Sequence, residues 1–66
     1  MAVTSRLQDL RAERNWTQAQ LAGEVGVSRQ TINSIETGRF EPSLTLALKL
    51  ARLFALPVDS IFSLPE

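Results

Sequence analysis

Arg29, Gln30, Thr31, Asn33 and Ser34 fall around two isoleucines, Ile32 and Ile35, spaced three residues apart. In a helix the isoleucines would share the inward face and the polar side chains would point out, presenting a guanidinium, two carboxamides and two hydroxyls together. Such groups recognise other molecules by hydrogen bonding. Catalysis needs more, and the chain has no His and no Cys, so the usual general base, imidazole ligand, thiolate and disulfide are all missing. Its seven Asp and Glu are scattered, and no spacing sets two of them in a recognisable site. The chemistry is therefore recognition, and we expect no enzyme, no metal and no cofactor.

Those groups must be positioned by a small fold. At 66 residues, 44% apolar and 21% charged, the chain has the composition of a globular protein, not of a disordered one. Residues 1–66 read as a single domain, and a domain of this size buries only about 60% of the surface its unfolded chain exposes. Little core can be given up to a pocket, so no small-molecule ligand is expected. The N-terminus lacks a cationic stretch followed by an apolar run, and no apolar run approaches the roughly 18 residues of a membrane span. The expectation is a soluble cytoplasmic protein without a membrane partner.

Caps and apolar spacing predict five helices. Ser5 with Gln8 and Thr17 with Gln20 have the capping-box spacing, in which the hydroxyl accepts from a first-turn amide and the Gln side chain reaches back. Ser28 and Ser43 are simpler caps. Helix one is read over residues 5–14, with Leu7 and Leu10 on one face. Helix two covers 18–25 with Leu21 and Val25, stopped by Gly26; helix three covers 29–37 with Ile32 and Ile35, stopped by Gly38. Helix four follows Pro42 and Ser43 and runs to about residue 55. Only Thr45, Lys49 and Arg52 form its polar stripe, which predicts that most of its circumference is buried. Pro57 opens a short fifth helix through Asp59 to Phe62. A short pairing of residues near Val3 with those near Leu64 is the one strand expected, confined to an edge because Pro65 cannot donate.

Residues 18–37 carry the most specific signal. Two helices of about eight residues are joined by a turn containing Gly26, the length of a helix-turn-helix. Counting from Gln18, positions four, eight, ten, fifteen and eighteen are Leu21, Val25, Val27, Ile32 and Ile35, all aliphatic. Position five is Ala22, where helices crossing steeply leave space for little beyond a methyl, and position nine is Gly26, where the turn wants positive φ.

On these residues the chain resembles the lambda-repressor-like DNA-binding domains, also called the Cro or Xre type. TQAQLAGEVGVSRQTINSIETGRFEPSL followed by LALKLARLFALPVDSIF is the matching stretch, closest in kind to the short stand-alone regulators typified by the cytolysin repressor. The resemblance covers nearly the whole chain. It implies an all-α, compact five-helix domain that binds double-stranded operator DNA, usually as a homodimer and usually as a repressor.

Carried over residue by residue, the resemblance places the recognition helix on Ser28 to Glu36 and its major-groove face on Arg29, Gln30, Asn33 and Ser34, with Thr31 beside it. Arg29 suits a bidentate contact with guanine, Gln30 one with adenine, and Thr31 a thymine methyl or a phosphate. Gln18 opens helix two where the family sets a side chain and a backbone amide on a phosphate. Thr17 reads as a cap or a phosphate ligand, Ser28 as both, and Arg39 as a phosphate ligand or a plain solvated arginine. Arg11 and Glu36 match a partly buried salt bridge of relatives. Trp16 is read as a staple at the start of helix two, and Phe40 as a cap on the core.

Charge and the C-terminal third set two further expectations. The chain is formally neutral, with seven basic and seven acidic residues, and segment 28–40 carries only Arg29 and Arg39 against Glu36. Few ionic contacts per subunit and a shallow salt slope follow. Phe54, Leu56, Val58, Ile61, Phe62 and Leu64 make region 54–66 richly apolar; these residues either close the monomer's core or meet another chain in a two-fold dimer. A dimer would set two recognition helices about 34 Å apart and call for a near-palindromic operator. The rival reading is an antitoxin-like interaction module that binds DNA mainly for autoregulation, which the neighbouring gene would reveal.

Overall fold

Side-chain caps mark three of the helix starts in the computed structural model, which describes residues 3–65. The elements are β1 (Thr4–Ser5), α1 (Leu7–Glu13), α2 (Gln18–Val25), α3 (Arg29–Glu36), α4 (Leu44–Phe54), α5 (Val58–Ile61) and β2 (Phe62–Ser63). The fold is the all-α five-helix domain with a short antiparallel pairing that the sequence predicts, although the pairing joins Thr4 to Ser63 and Ser5 to Phe62, short of Leu64. Thr17 heads α2 in a complete capping box with Gln20, while the Ser28 and Ser43 hydroxyls accept from Thr31 N and Leu46 N. Each such cap is worth about 1 kcal/mol.

The capping box at Ser5 and Gln8 does not form. Ser5 is held extended by its pairing with Phe62, and Arg6 N donates to Ile61 O at 2.9 Å, so α1 starts two residues later, behind Arg6. The Ser5 hydroxyl accepts from Leu7 N instead, at 3.0 Å. Strand pairing has overridden a local helix signal.

Leu7, Leu21, Ile32, Ile35, Leu50 and Ile61 are completely or almost completely buried and come from all five helices, which therefore share one core. Burying each is worth about 1.5–3 kcal/mol. Ala22 is buried in the same core, and Gly26 ends α2 at φ 75°, a conformation that would strain any residue with a Cβ. Val27 packs against the core from a half-buried position. Trp16 leans on the same core with its ring 6.1 Å from that of Phe54, and the Arg14 guanidinium lies over both rings.

Two expectations about burial are overturned. Helix α4 buries only Leu46, Ala47, Leu50 and Phe54, leaving Leu44 and Leu48 exposed at 74% and 54%. A helix on the outside of a five-helix domain has partners on one side only, whatever the width of its apolar face. Phe40 does not cap the core either; it stands in the loop after α3, 53% exposed.

Ala55 closes α4 in the left-handed region, at φ 56°. That conformation costs an L-residue about 1–2 kcal/mol, and Gly adopts it freely. Because Ala55 is exposed, Ala55→Gly should stabilise the domain by about 1 kcal/mol after the added flexibility of the unfolded chain is discounted. In a domain this small that corresponds to a rise of about 4–8 °C in thermal melting. A lower melting temperature would show that the turn is held by interactions a glycine weakens.

Candidate nucleic-acid interface

The helix that carries the candidate base-reading residues is held in place through its polar side chains as well as its apolar ones. Glu36, in the last turn of α3, receives the Arg11 guanidinium in a two-pronged contact, Nε to Oε2 at 2.8 Å and Nη2 to Oε1 at 3.1 Å. The remaining Arg11 nitrogen donates to Trp16 O at 2.8 Å. The ion pair is largely shielded, with side-chain exposures of 16% for Arg11 and 3% for Glu36. Donating to the Glu36 carboxylate raises the Arg11 pKa above its ordinary value, burial working against it and the charge of Glu36 adding to it. A raised arginine stays charged at every pH in which a protein is handled, and the stability linked to its own titration is lost only as the pH rises into strong base.

Gln18, the first residue of α2, joins this pair to the earlier turns of α3. Its Nε2 donates to Glu36 Oε1 at 3.0 Å and to Asn33 Oδ1 at 3.1 Å, and its Oε1 accepts from Arg29 Nη1 at 3.4 Å. One carboxamide thus links three side chains spread along α3. Both of its amide hydrogens are engaged inside the protein, so the group of Gln18 left to face an anion is its backbone N–H, one of the first-turn amides with no intrahelical acceptor. Linear spacing does not show that Gln18 meets Glu36, eighteen residues away; the contact exists only once α2 crosses α3.

The other predicted residues divide by how freely they face solvent. Arg29 and Gln30 are exposed at the start of α3, and Asn33 is exposed one turn on with its Oδ1 committed to Gln18. Thr31 and Ser34 are half-buried. The Thr31 hydroxyl is paired with that of Ser28 at 2.9 Å, so both hydroxyls serve the start of α3. Thr17 is occupied as a cap, accepting from Gln20 N at 3.0 Å. Arg39 is exposed in the loop after α3, its backbone N donating to Ser34 O at 2.9 Å. This arrangement leaves Arg29, Gln30 and the amide nitrogen of Asn33 as the side-chain groups best placed to reach past the protein surface.

The apolar C-terminal residues separate in the same way. Phe54, Ile61 and Phe62 are buried at 6%, 1% and 7%, in contact with the rest of the core, and are therefore withdrawn from the set expected to meet another chain. They close the monomer because α5 and β2 fold back onto α4 and β1. Leu56 and Val58 are half-buried, and Leu64 is 68% exposed. No helix of the described residues is long and apolar enough to cross a membrane.

Comparison with known proteins agrees with the geometry. A helix-turn-helix family model matches residues 7–61. An uncharacterized HTH-type transcriptional regulator of Methanocaldococcus jannaschii is 48% identical over 58 residues, covering 88% of each chain. Another, from Bacillus subtilis, is 40% identical over 62 residues and 94% of each chain. Among solved structures, the restriction-modification controller protein C.AhdI from Aeromonas hydrophila superposes with a TM-score of 0.73 at 32% identity, over 80% of each chain. The chain belongs to the Cro/C1-type helix-turn-helix family of transcriptional regulators.

Proposed function

We propose that the protein is a homodimeric repressor that reads a near-palindromic operator in the major groove with α3. The observation that carries this reading is the frame around α3: Glu36 and Asn33 are tied to Gln18, and Arg29 and Gln30 project from the N-terminal end that reaches base edges in this motif. A guanidinium there pairs with guanine and a carboxamide with adenine. The backbone N–H of Gln18 and the side chain of Arg39 flank the helix and serve as phosphate anchors, with the Thr17 and Ser28 hydroxyls as secondary ones. The protein acts in the cytoplasm, where its operator lies, and a dimer occupying a promoter is enough to repress it.

Dimerisation is supported by apolar side chains that the fold leaves uncovered: Leu64 with half-buried Leu56 and Val58 beyond α4, and Leu44 and Leu48 on α4 itself. A second copy covering part of this surface gives the two-fold symmetry that a palindromic site needs. With Arg29 given to a base, Arg39 is the cation of segment 28–40 left for a phosphate, so a dimer neutralises about two phosphates and log affinity should fall with log salt at a slope of about −1.8. Titrating a defined operator at several salt concentrations, beside a sedimentation mass at micromolar protein, checks both expectations. A monomeric mass on and off DNA would reject the dimer, and a slope of about −10, the size found for a strongly basic interface, would reject the neutral-interface account.

A further inference from the structure

Phe40 is a large aromatic side chain left 53% exposed in a small domain, and the loop that carries it is fixed to the recognition helix. Arg39 N and Phe40 N both donate to the carbonyl of Ser34, at 2.9 and 3.2 Å, and the Thr37 hydroxyl donates to the same carbonyl at 3.3 Å. The ring therefore stands beside α3. Together with Ser28, Gln30, Thr31, Ser34 and Arg39 it lines an open groove of about 400 Å³. The two flanks of α3 differ in character: Gln18, bonded to Asn33 and Arg29, makes a polar wall on one side, and Phe40 makes an apolar wall on the other.

The edges of base pairs in a major groove are polar except for one group, the C5 methyl of thymine, which apolar side chains recognise by contact. On the reading that α3 enters the major groove, we propose that Phe40 is a further specificity-determining residue. Its ring covers a thymine methyl beside the base pair that Gln30 faces, because both side chains line the same groove. The sequence information gained is apolar, which suits a formally neutral protein with few charges to spend on bases. Arg39, on the same wall, holds the neighbouring phosphate and keeps the ring at the groove edge.

Replacing thymine by deoxyuridine removes that methyl and nothing else, so each operator thymine can be tested singly against wild type, Phe40→Ala and Phe40→Leu. The expected result is one thymine per half-site whose methyl is worth about fourfold in affinity to the wild type, the value of one buried methylene-sized group. Phe40→Ala should bind the thymine and deoxyuridine duplexes equally, and Phe40→Leu should keep part of the preference with an apolar side chain still on the loop. A melting temperature near wild type for both variants is expected from the exposure of the ring. The proposal is overturned if Phe40→Ala keeps the wild-type preference at every thymine. It is equally overturned if the variant loses affinity by the same factor on all sequences, the mark of a sugar or phosphate contact. Failure of the wild type to prefer any duplex would instead refute the parent reading of an operator-binding helix.

Discussion

Glu36→Ala should lower stability by about 1–3 kcal/mol, the cost of leaving a largely shielded charge without its hydrogen-bonding partner. The Arg11 guanidinium would be deprived of a two-pronged partner at 2.8 and 3.1 Å in a site where its side chain is only 16% exposed. Gln18 would be left without one of its two acceptors as well. A domain of this length has a total stability of about 3–10 kcal/mol, so the variant should lose a substantial share of it and melt at least about 4 °C lower. Circular dichroism melts decide it, and an unchanged melt would show the pair to be solvated and inert. The double variant Arg11→Met, Glu36→Leu removes both charges and should recover much of the loss, since an apolar pair of similar size often replaces a buried ion pair without penalty. The double variant should nonetheless bind operator more weakly, because Gln18 then has no Glu36 anchor and α3 has one tie fewer to α2.

Arg29→Ala should leave the melt within about 0.5 kcal/mol of wild type and weaken specific DNA binding strongly. Arg29 is exposed, and its contact within the protein is a long one, 3.4 Å to Gln18 Oε1. A bidentate contact with guanine carries about 1–3 kcal/mol of discrimination, and two half-sites double it to about 2–6 kcal/mol per dimer. At about 1.4 kcal/mol per tenfold, the smaller figure is already a loss of about 25-fold. The loss should fall on one base pair of each half-site, with sequence preference relaxed there and kept elsewhere. Arg39→Ala should behave differently, weakening all sequences alike and making the salt slope shallower by about 0.9 for each phosphate that is no longer neutralised. Equal effects of the two substitutions would mean that Arg29 holds a phosphate, not a base.

Helix existence and the α2–turn–α3 unit were legible in the sequence because local rules decide them. Thr17 with Gln20, Ser28 and Ser43 cap where hydroxyls precede apolar periodicity, and Gly26 takes the left-handed turn. Burial within that unit was legible for the same reason, since Leu21, Ala22, Val25, Ile32 and Ile35 all lie on one face of each helix. Ser5 with Gln8 misled because a two-residue strand pairing, fixed by residues nearly sixty positions away, outweighs one capping box. Leu44 and Leu48 misled because an apolar pattern says which face can be buried, not whether a neighbour is there to cover it. For the same reason Phe54, Ile61 and Phe62 were grouped with Leu64: only the fold shows that three of the four lie inside. In the site, residue types were readable and their mutual bonds were not. The bonding of Gln18 to Asn33, Glu36 and Arg29 arises from the crossing of two helices, and the place of Phe40 beside Gln30 arises from backbone bonds to Ser34.

Selection of bound duplexes from a random library at near-physiological salt, with wild type and Arg29→Ala in parallel, tests the central claim most directly. The account predicts that the wild type enriches a two-fold symmetric site with half-sites about 10 bp apart, and that Arg29→Ala enriches it weakly or with one base pair per half-site relaxed. A folded wild-type dimer that enriches no sequence would contradict the account, and the exposed apolar surface would then point to a protein partner in place of an operator.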